Sequence, residues 1–502
     1  NMDNINIILG PPGTGKTTRL LDICQEKKSE GINWDSIGFF SFSQKAAYEA
    51  RDRACEKFKT SRNDLVHFRT LHSYAYRHLP LEDNNLMKSK HWKELSDIIG
   101  FDLTSEGGDE TIYANANHRY LSLINISRLK GIPLREAWNG NMDTLLWSKL
   151  DYLNRAIIGY KKERKLFDYT DMIVDYVESD VTPNFDVLFI DEAQDMPKIQ
   201  YDMVFKLMEG SKETYLAGDD DQAIFRWSGA DVDQFIKLKG NVEVLGTSYR
   251  CPRRVYRLAN TIIGRVKLRR PKTWEPKEEE GKVIRVTDLR YIDFSKGKWL
   301  FLARTKRIRN EVIEDYLYSK GYWYGRGDYR PVVPSVISAI DTWQQLQRGE
   351  AVSMGEVKTL YNKIKSGTGI KRGGKKFKEE DKEKLFTMQN LIESQGLIAQ
   401  GEWHEALDRV KLSDVAYLRR LEKMGEDIKG EPRLRVSTIH KAKGGECDNV
   451  VVLLDVGKIV YNAYIKNPDD EHRIFYVAVT RAKESLYIVG AQSEEGYMMY
   501  YV

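Results

Sequence analysis

A glycine-rich loop between an apolar run and a helix-forming run constrains this chain more than any other feature. The loop consists of Gly10, Pro11, Pro12, Gly13, Thr14, Gly15, Lys16 and Thr17. It follows an expected strand at residues 5–9 and precedes an expected helix that continues from Thr18. In such a loop, backbone N–H groups turn inward around phosphate oxygens, and the helix N-terminus adds positive potential. The spacing predicts a P-loop, in which Lys16 reaches the β- and γ-phosphates and the Thr17 hydroxyl is a ligand of Mg²⁺.

Length and composition narrow the class of protein. A chain of 502 residues is too long for one hydrophobic core, so we expect several domains. Charged residues make up 30%, and no apolar stretch is long enough to span a bilayer, which favours a soluble protein over a membrane protein. The four cysteines are scattered without a CxxC pair, which argues against a disulfide framework or a zinc site and favours the reducing cytoplasm. A net charge of +5 permits nucleic-acid binding without requiring it.

Strand and helix patterns alternate in two regions of the chain. Apolar runs predict strands at residues 37–40, 187–190, 214–217, 299–302, 450–454 and 486–489. Residues 45–58 have the pattern of a helix, and helical periodicity dominates residues 80–175 and 330–430. Alternation of strands and helices is typical of parallel sheets. We therefore predict an α/β fold of two nucleotide-binding-type domains, each interrupted by a mainly helical accessory insertion.

An acidic pair follows the predicted strand at residues 187–190. Because ligands bind at the carboxyl ends of strands in open α/β sheets, we expect Asp191 to hold Mg²⁺, directly or through water. Glu192 is then placed to polarise the attacking water. The alternative is an acidic helix N-terminus, which the helix dipole alone would favour. Because the same chain contains a P-loop, the assignment of this pair to Mg²⁺ and water is favoured over that alternative.

Seven short motifs occur in a fixed order. They are FSFSQKAA at residues 40–47, RTLHS at 69–73, DEAQD at 191–195, GDDDQAIFRW at 218–227, YRC at 249–251, TIHKAKGGE at 438–446 and YVAVTRA at 476–482. In sequence and order these motifs resemble those of the superfamily 1A helicases, the UvrD/Rep/PcrA group, of which this chain looks like a short, compact member. The resemblance, with the P-loop, covers residues 10–482. It implies two RecA-like motor domains.

The resemblance also implies roles around the nucleotide. Gln222 would contact the γ-phosphate, and Arg250 and Arg481 would reach across the cleft to it as arginine fingers. Tyr249 would stack on adenine, and Gly444 and Glu446 would belong to the nucleotide site, with Glu446 at the ribose. Taken singly, each arginine is more often a surface or salt-bridge residue. The family normally has a glutamine motif before the P-loop, and residues 1–9 contain no glutamine. Two alternatives stay open: the chain accepts other purine nucleotides, or it recognises adenine elsewhere.

The same motifs imply a path for single-stranded DNA. Aromatic rings on which bases stack, together with residues near the strand backbone, are typical of such a path. The stacking positions are Phe42, Phe225 and Trp227, and the backbone positions are Thr70, His72, Thr438 and His440. The alternative is that the aromatics belong to the core and that the histidines are ordinary hydrogen-bonded residues. The basic segment at residues 365–376 loosely resembles duplex-contacting loops, and it is equally well interpreted as a solvated linker.

The domain boundaries follow from these assignments. Motor domain 1A is predicted at residues 1–80 and 170–250, and accessory domain 1B at 81–169. Motor domain 2A is predicted at 251–330 and 430–502, and accessory domain 2B at 331–429.

The resemblance implies an ATP-dependent 3′→5′ DNA helicase or translocase with ATP and Mg²⁺ as cofactors. Expected partners are single-stranded DNA, single-strand/duplex junctions, and replication or repair proteins, in the cytoplasm and not at a membrane. One alternative is a DNA-stimulated translocase ATPase that separates strands poorly. Another is a regulatory P-loop ATPase, which the joint presence of the Gln222, Arg250 and Arg481 motifs disfavours.

Overall fold

Two groups of mutual contacts divide the chain in the computed structural model. The structure describes residues 4–103, 116–139, 145–378 and 382–499. The first unit comprises the chain up to Gly281 together with Asn462–Thr480. The second unit comprises Lys282–Tyr461 and Arg481–Met499.

A six-stranded parallel sheet is the centre of the first unit. Its strands are β1 (Ile5–Leu9), β2 (Ile37–Ser41), β3 (Phe68–Thr70), β4 (Phe185–Asp191), β5 (Ser211–Gly218) and β6 (Asn241–Val244). They lie in the order β3-β2-β4-β5-β1-β6, and every neighbouring pair is parallel. The central strands β2 and β4 are buried almost throughout, because helices cover both faces of a parallel sheet.

Eleven helices of the first unit precede residue 281 in the described part of the chain. They are α1 (Lys16–Ser29), α2 (Gln44–Phe58), α3 (Leu71–His78), α4 (Ser89–Ile99), α5 (Ala116–Lys130), α6 (Leu134–Asn139), α7 (Trp147–Arg164), α8 (Tyr169–Glu178), α9 (Lys198–Glu209), α10 (Val232–Lys237) and α11 (Arg253–Ile263). Local chemistry sets several ends. The Ser43 hydroxyl accepts a hydrogen bond from the Ala46 amide and caps α2, and Lys59 ends that helix in the left-handed conformation.

The helices α4 to α7 have a core of their own, which includes Leu95, Leu150 and Leu153. Four charged side chains join this region to α8. Arg128 and Lys161 both contact the carboxylates of Asp168 and Asp171, at 2.6–2.8 Å. Although burial opposes the effect, these two cations hold the pKa of Asp168 well below its ordinary value. A charged clamp thus orients the helical region where it returns to the sheet.

The second unit contains another parallel sheet. Its strands are β7 (Lys282–Val286), β8 (Trp299–Ala303), β9 (Tyr324–Gly325), β12 (Leu434–Thr438), β13 (Cys447–Leu453) and β14 (Ala482–Val489), in the order β7-β14-β13-β8-β12-β9. All of their pairings are parallel. The short strands β10 (Val352–Ser353) and β11 (Leu385–Phe386) form a separate antiparallel pair.

Helices follow the strands of the second unit and fill its insertion. They are α12 (Lys306–Ile308), α13 (Asp315–Lys320), α14 (Pro334–Gln347), α15 (Met354–Tyr361), α16 (Met388–Ser394), α17 (Trp403–Ala406), α18 (Leu412–Met424) and α19 (Ile439–Ala442). The boundary between the two contact groups falls within α20 (Lys458–Lys466), after Tyr461. A π-helical turn, Arg309–Glu314, joins α12 to α13. The last helix, α21 (Pro468–Val479), belongs to the first unit by its contacts. The insertion has its own core around Trp343, Trp403 and Leu418.

The basic segment at residues 365–376 has a defined backbone. Gly367 N–H donates to the Ile370 carbonyl at 2.7 Å, and the Ile398 and Ala399 amides both donate to the Gly369 carbonyl at 2.9 Å. Ile370 is fully buried in the core of the insertion. The segment is therefore a hydrogen-bonded loop anchored in the core by Ile370. Its lysines are exposed, except for Lys375, which is half-buried.

The predicted α/β class with two parallel sheets is confirmed, and the seven predicted strands all lie within observed strands or end within one residue of them. The predicted helix at 45–58 is α2, which begins one residue earlier. The four-domain boundaries stay predictions. The contact grouping places residues 251–281 and 462–480 with the first unit, because α11 and α21 pack on each other. Within the described residues, no helix combines the length and apolarity needed to cross a bilayer.

His67 gives a test of the first unit's packing. Its ring lies edge-on to Phe185 and Tyr74, and burial, with help from Arg69, lowers its pKa from 6.5 to about 4. The unfolded state therefore binds more protons than the folded state between about pH 6.5 and 4, so stability falls as the pH falls through this window. We expect the urea midpoint to drop between pH 7 and pH 5, and to drop less in His67→Gln. An equal drop in both proteins would show that His67 titrates normally.

Candidate active site

The P-loop follows β1 and has the conformation that its glycines permit. Gly13 and Gly15 have φ of +71° and +82°, a region that L side chains rarely adopt. A Cβ atom at Gly10 would lie 1.7 Å from Cγ of Lys16, so no other residue fits beside the lysine stem. The Thr14 hydroxyl donates to the Pro11 carbonyl at 2.7 Å and closes the loop. The predicted residues 10–18 thus form one compact turn at the N-terminus of α1.

Lys16 lies against the acidic pair that follows β4. Its Nζ atom is 3.2 Å from Oε1 of Glu192. Burial disfavours the charged amine, but Glu192, Asp191 and Asp219 outweigh this effect and raise the pKa of Lys16. The stem of Lys16 therefore packs beside Gly10, and its ammonium group pairs with the acidic residue that follows β4.

Thr17 and Asp191 meet as the sequence predicted for a pair of metal ligands. The Thr17 hydroxyl donates to Oδ2 of Asp191 at 2.7 Å, and Oδ1 accepts from the Glu192 amide at 2.9 Å. Burial and the neighbouring Glu192 raise the pKa of Asp191 to about 6, against the opposing effect of Lys16. A hydroxyl and a carboxylate at the mouth of a phosphate loop are the oxygen donors that Mg²⁺ prefers, so the residues present fit that ion.

Glu192 has an unusual backbone and a fixed side chain. Its φ of +55° is rare for a residue with a side chain, and outside helix ends such strained residues cluster at functional sites. The Gln194 side chain donates through Nε2 to Oε2 of Glu192 at 2.5 Å, and its Oε1 accepts from the Asp219 amide at 3.1 Å. Gln194 therefore connects the end of β4 to the end of β5.

Gln222 lies in a 3₁₀ turn, Asp220–Gln222, directly after β5. Its Nε2 atom donates to Oδ2 of Asp219 at 2.7 Å and lies 3.4 Å from the Gly10 carbonyl. The side chain is 6% exposed. The amide is therefore held at the first residue of the P-loop by a carboxylate of its own turn.

Tyr249 and Arg250 lie against the P-loop through their backbone. The Tyr249 amide donates to the Gly13 carbonyl at 2.8 Å, and the Ser248 hydroxyl donates to the Pro12 carbonyl at 2.7 Å. Ser248 Oγ also accepts from the Arg250 and Cys251 amides at 3.3 and 3.1 Å. The Tyr249 ring is 77% exposed beside this contact, as a stacking platform for a base requires. The sequence analysis did not single out Ser248, although a hydroxyl just before the Tyr-Arg pair was the available signal.

The predicted DNA-contacting residues of the first unit fall into two sets. The rings of Phe42 and Phe225 lie 6.4 Å apart and both are half-buried, while Trp227 is 40% exposed. Thr70 caps α3, since its Oγ1 accepts from the Ser73 amide at 3.2 Å. His72 packs edge-on against Tyr169 at 5.9 Å, and burial lowers its pKa to about 4. The aromatic set and this neutral histidine lie beyond the carboxyl ends of β2, β3 and β5.

The predicted residues of the second unit lie in the turn before β13, at the start of β14 and at the end of β12. Arg481, 1% exposed, donates through Nη1 to the Gly445 carbonyl at 3.0 Å. Gly444 has a φ of +83°, and Arg435 donates to the Glu446 carbonyl at 3.0 Å. Thr438 ends β12, and His440 lies in the short α19 that follows. The structure therefore joins Arg481 to the turn of Gly444 and Glu446, and the participation of this group in the P-loop site stays a prediction.

Comparison with known proteins agrees with the motifs. Residues 1–243 match the model of the UvrD/REP helicase N-terminal domain, and residues 326–493 match that of the UvrD-like helicase C-terminal domain. The chain belongs to the UvrD/Rep/PcrA helicase family. Within that family, 293 residues are 27% identical to a probable DNA helicase of Mycoplasma pneumoniae, over 52% of this chain and 53% of the relative.

For two further relatives, the match covers a smaller share of the relative's length. A probable DNA helicase II homolog of Mycoplasma pneumoniae is 24% identical over 52% of this chain and 40% of the relative. The ATP-dependent DNA helicase PcrA of Bacillus subtilis is 31% identical over 122 residues, which are 23% of this chain and 16% of the relative. The matches therefore span about half or less of the length of these curated relatives.

Glu192→Gln tests the proposed base. The amide keeps the size of the side chain but cannot accept a proton, so we expect nucleotide binding within about threefold of wild type and turnover at least about a hundredfold lower. Fluorescent-nucleotide titration and a steady-state phosphate assay measure the two quantities. Glu209→Gln, at the exposed end of α9, is the matched control. Loss of binding together with turnover would assign Glu192 to the structure of the loop instead.

Proposed function

We propose that the chain is an ATP-dependent DNA helicase that moves 3′→5′ along single-stranded DNA and separates duplex. The observation that carries the proposal is the convergence of Lys16, Thr17, Asp191, Glu192 and Gln222 at one edge of the first sheet. These residue types are what phosphoryl transfer from a nucleoside triphosphate requires: a cation, metal ligands, a base and an amide near the γ-phosphate. Because the chain belongs to a family of helicases, we infer that DNA is the substrate along which it moves.

The residues divide the work of hydrolysis. Lys16 neutralises phosphate charge, and Thr17 and Asp191 would hold Mg²⁺, which would screen the charge of the phosphate oxygens. Glu192 accepts the proton of the attacking water, and Gln194 keeps its carboxylate in one orientation. Gln222 senses the γ-phosphate beside Gly10.

Two arginines complete the proposed site. Arg250 lies in the segment that is hydrogen-bonded to the P-loop, and Arg481 is anchored to the Gly444–Gly445 turn. We assign both to the γ-phosphate, where a guanidinium stabilises transition-state charge by about three to five powers of ten in rate. Tyr249 is assigned to the base, Gly444 to the nucleotide site and Glu446 to the ribose.

The DNA track is assigned to aromatic and polar residues of both units. Bases stack on Phe42, Phe225 and Trp227, and Thr70 and His72, with Thr438 and His440 of the second unit, lie near the strand backbone. Trp227 is five residues beyond Gln222, so one short segment joins nucleotide sensing to base stacking. The preferred substrates are single-stranded DNA and its junctions with duplex, in the cytoplasm and with replication or repair proteins as partners.

Unwinding of matched tailed duplexes tests the function. With ATP and Mg²⁺, we expect strand separation of a 3′-tailed duplex and none of its 5′-tailed counterpart, with hydrolysis stimulated by single-stranded DNA. Lys16→Ala is the inactive control. Stimulated hydrolysis without strand separation would replace the helicase by a translocase. Hydrolysis that DNA does not stimulate would indicate a regulatory ATPase.

Trp227→Ala separates the track from the nucleotide site. Loss of a base-stacking surface that contributes about 1–3 kcal/mol weakens single-strand binding, and we expect poorer unwinding per ATP with preserved basal hydrolysis. Fluorescence anisotropy, phosphate release and unwinding on one preparation measure these effects. Tyr291→Ala, which removes an exposed ring of the second unit, is the control. Unchanged affinity and unwinding would place the stacking surface elsewhere.

A further inference from the structure

A buried cluster of charges lies directly behind Gln222. The carboxylates of Asp219, Asp220 and Asp221 are fully buried, and so is the ammonium of Lys272. Its Nζ atom lies 2.7 Å from Asp220, 3.0 Å from Asp221 and 3.4 Å from Asp219. Lys272 comes from the segment after α11, about fifty residues away in sequence, and it belongs to none of the motifs that identified the family.

The cluster has partners on every carboxylate. Arg269 forms a two-point contact with Asp221, through Nε at 2.8 Å and Nη2 at 2.5 Å. The backbone amide of Arg270 donates to Asp220 at 2.8 Å. Three carboxylates therefore face two cations, two backbone amides and the Gln222 side-chain amide. One carboxylate oxygen from each aspartate lies within 4.8 Å of the other two, close enough for a metal ion, but Lys272 already occupies the cationic position.

Buried charges are a costly way to stabilise a fold. Removing ions from water is expensive, and apolar side chains of similar volume often stabilise a core as well or better. Attraction to the three aspartates outweighs burial and raises the pKa of Lys272. This enclosed cluster thus fixes positions more than it adds stability, which directs attention to what it holds in place.

The charged cluster fixes the carboxylate of Asp219, and Asp219 in turn binds the side chain of Gln222. Oδ1 of Asp219 faces Lys272 and accepts from the Asp221 amide at 3.1 Å, while Oδ2 accepts from Gln222 Nε2 at 2.7 Å. The Asp219 amide donates to Gln194, which donates in turn to Glu192. Glu192 pairs with Lys16. A continuous line of polar contacts runs from Lys272 to the P-loop lysine.

We propose that Lys272 is a positioning residue that acts through Asp219 to orient Gln222. This inference rests on the proposed function, because it assumes that Gln222 acts on a nucleoside triphosphate. Lys272 contacts the three aspartates and is not among the residues assigned to the nucleotide. We therefore expect its loss to lower turnover and to leave nucleotide affinity nearly unchanged.

The test uses two variants and one control in the full chain. Lys272→Met removes the cation. The double variant Lys272→Met/Asp220→Asn removes one cation and one carboxylate, which keeps the net charge of the cluster and the acceptor for the Arg270 amide. Lys267→Met, an exposed lysine five residues earlier, is the matched control. Thermal unfolding establishes that the proteins compared are folded.

The expected result is a kcat at least about tenfold lower with nucleotide Kd within about threefold of wild type, in whichever Lys272 variant is folded. Lys272→Arg should restore part of the turnover. A double-mutant cycle with Gln222→Ala tests whether Lys272 acts through Gln222. In the Gln222→Ala background, loss of Lys272 should lower kcat by less than about twofold.

Three results would overturn the inference. They are normal turnover in a folded Lys272 variant, an equal fold-loss with and without Gln222, and a loss of nucleotide affinity that matches the loss of turnover. Failure of the proposed function gives a different result, because the wild-type protein would then lack DNA-stimulated hydrolysis before any variant is compared.

Discussion

The chemistry of the first unit depends on one constraint: β4, β5 and β1 are parallel neighbours whose carboxyl ends meet at one edge of the sheet. The Gly10 amide donates to the Gly218 carbonyl at 3.0 Å and fixes the P-loop beside the turn that follows β5. Asp191 ends the next strand along. Because parallel strands all point the same way, three segments that are far apart in sequence end at the same edge of the sheet. They place the Lys16 cation, the acidic pair Asp191–Glu192 and the Gln222 amide close together.

Charge at this edge is organised in two layers. The outer layer contains Lys16, Asp191 and Glu192, whose groups contact each other and face the P-loop. The inner layer is the buried cluster of Asp219–Asp221 with Lys272. Gln194, a neutral amide, connects the two layers through Glu192 and the Asp219 backbone amide, and Gln222 connects Asp219 to the Gly10 carbonyl of the P-loop. Neutral connectors suit this position, since a further buried charge would need a further partner.

Much of the fold and of the site was predictable from local pattern. The strand–loop–helix around Gly10 to Thr17, the six apolar strands and the acidic end of β4 all follow from short-range periodicity and residue chemistry. The domain boundaries could not be tested in the same way. The segment containing α21 packs with α11 of the first unit, and no feature within α21 itself indicates that choice.

The sequence by itself determined the residue types and their order: a phosphate loop, an acidic pair, an amide and two arginines in the motifs of one family. Only the tertiary structure decided which side chains support them. Ser248 binds the Pro12 carbonyl, and Lys272 enters the carboxylate cluster behind Gln222. The physical reason is that hydrogen bonds and ion pairs act over about 3 Å in space, whatever the separation along the chain. A lone serine or lysine has no periodic signature from which that proximity could be read.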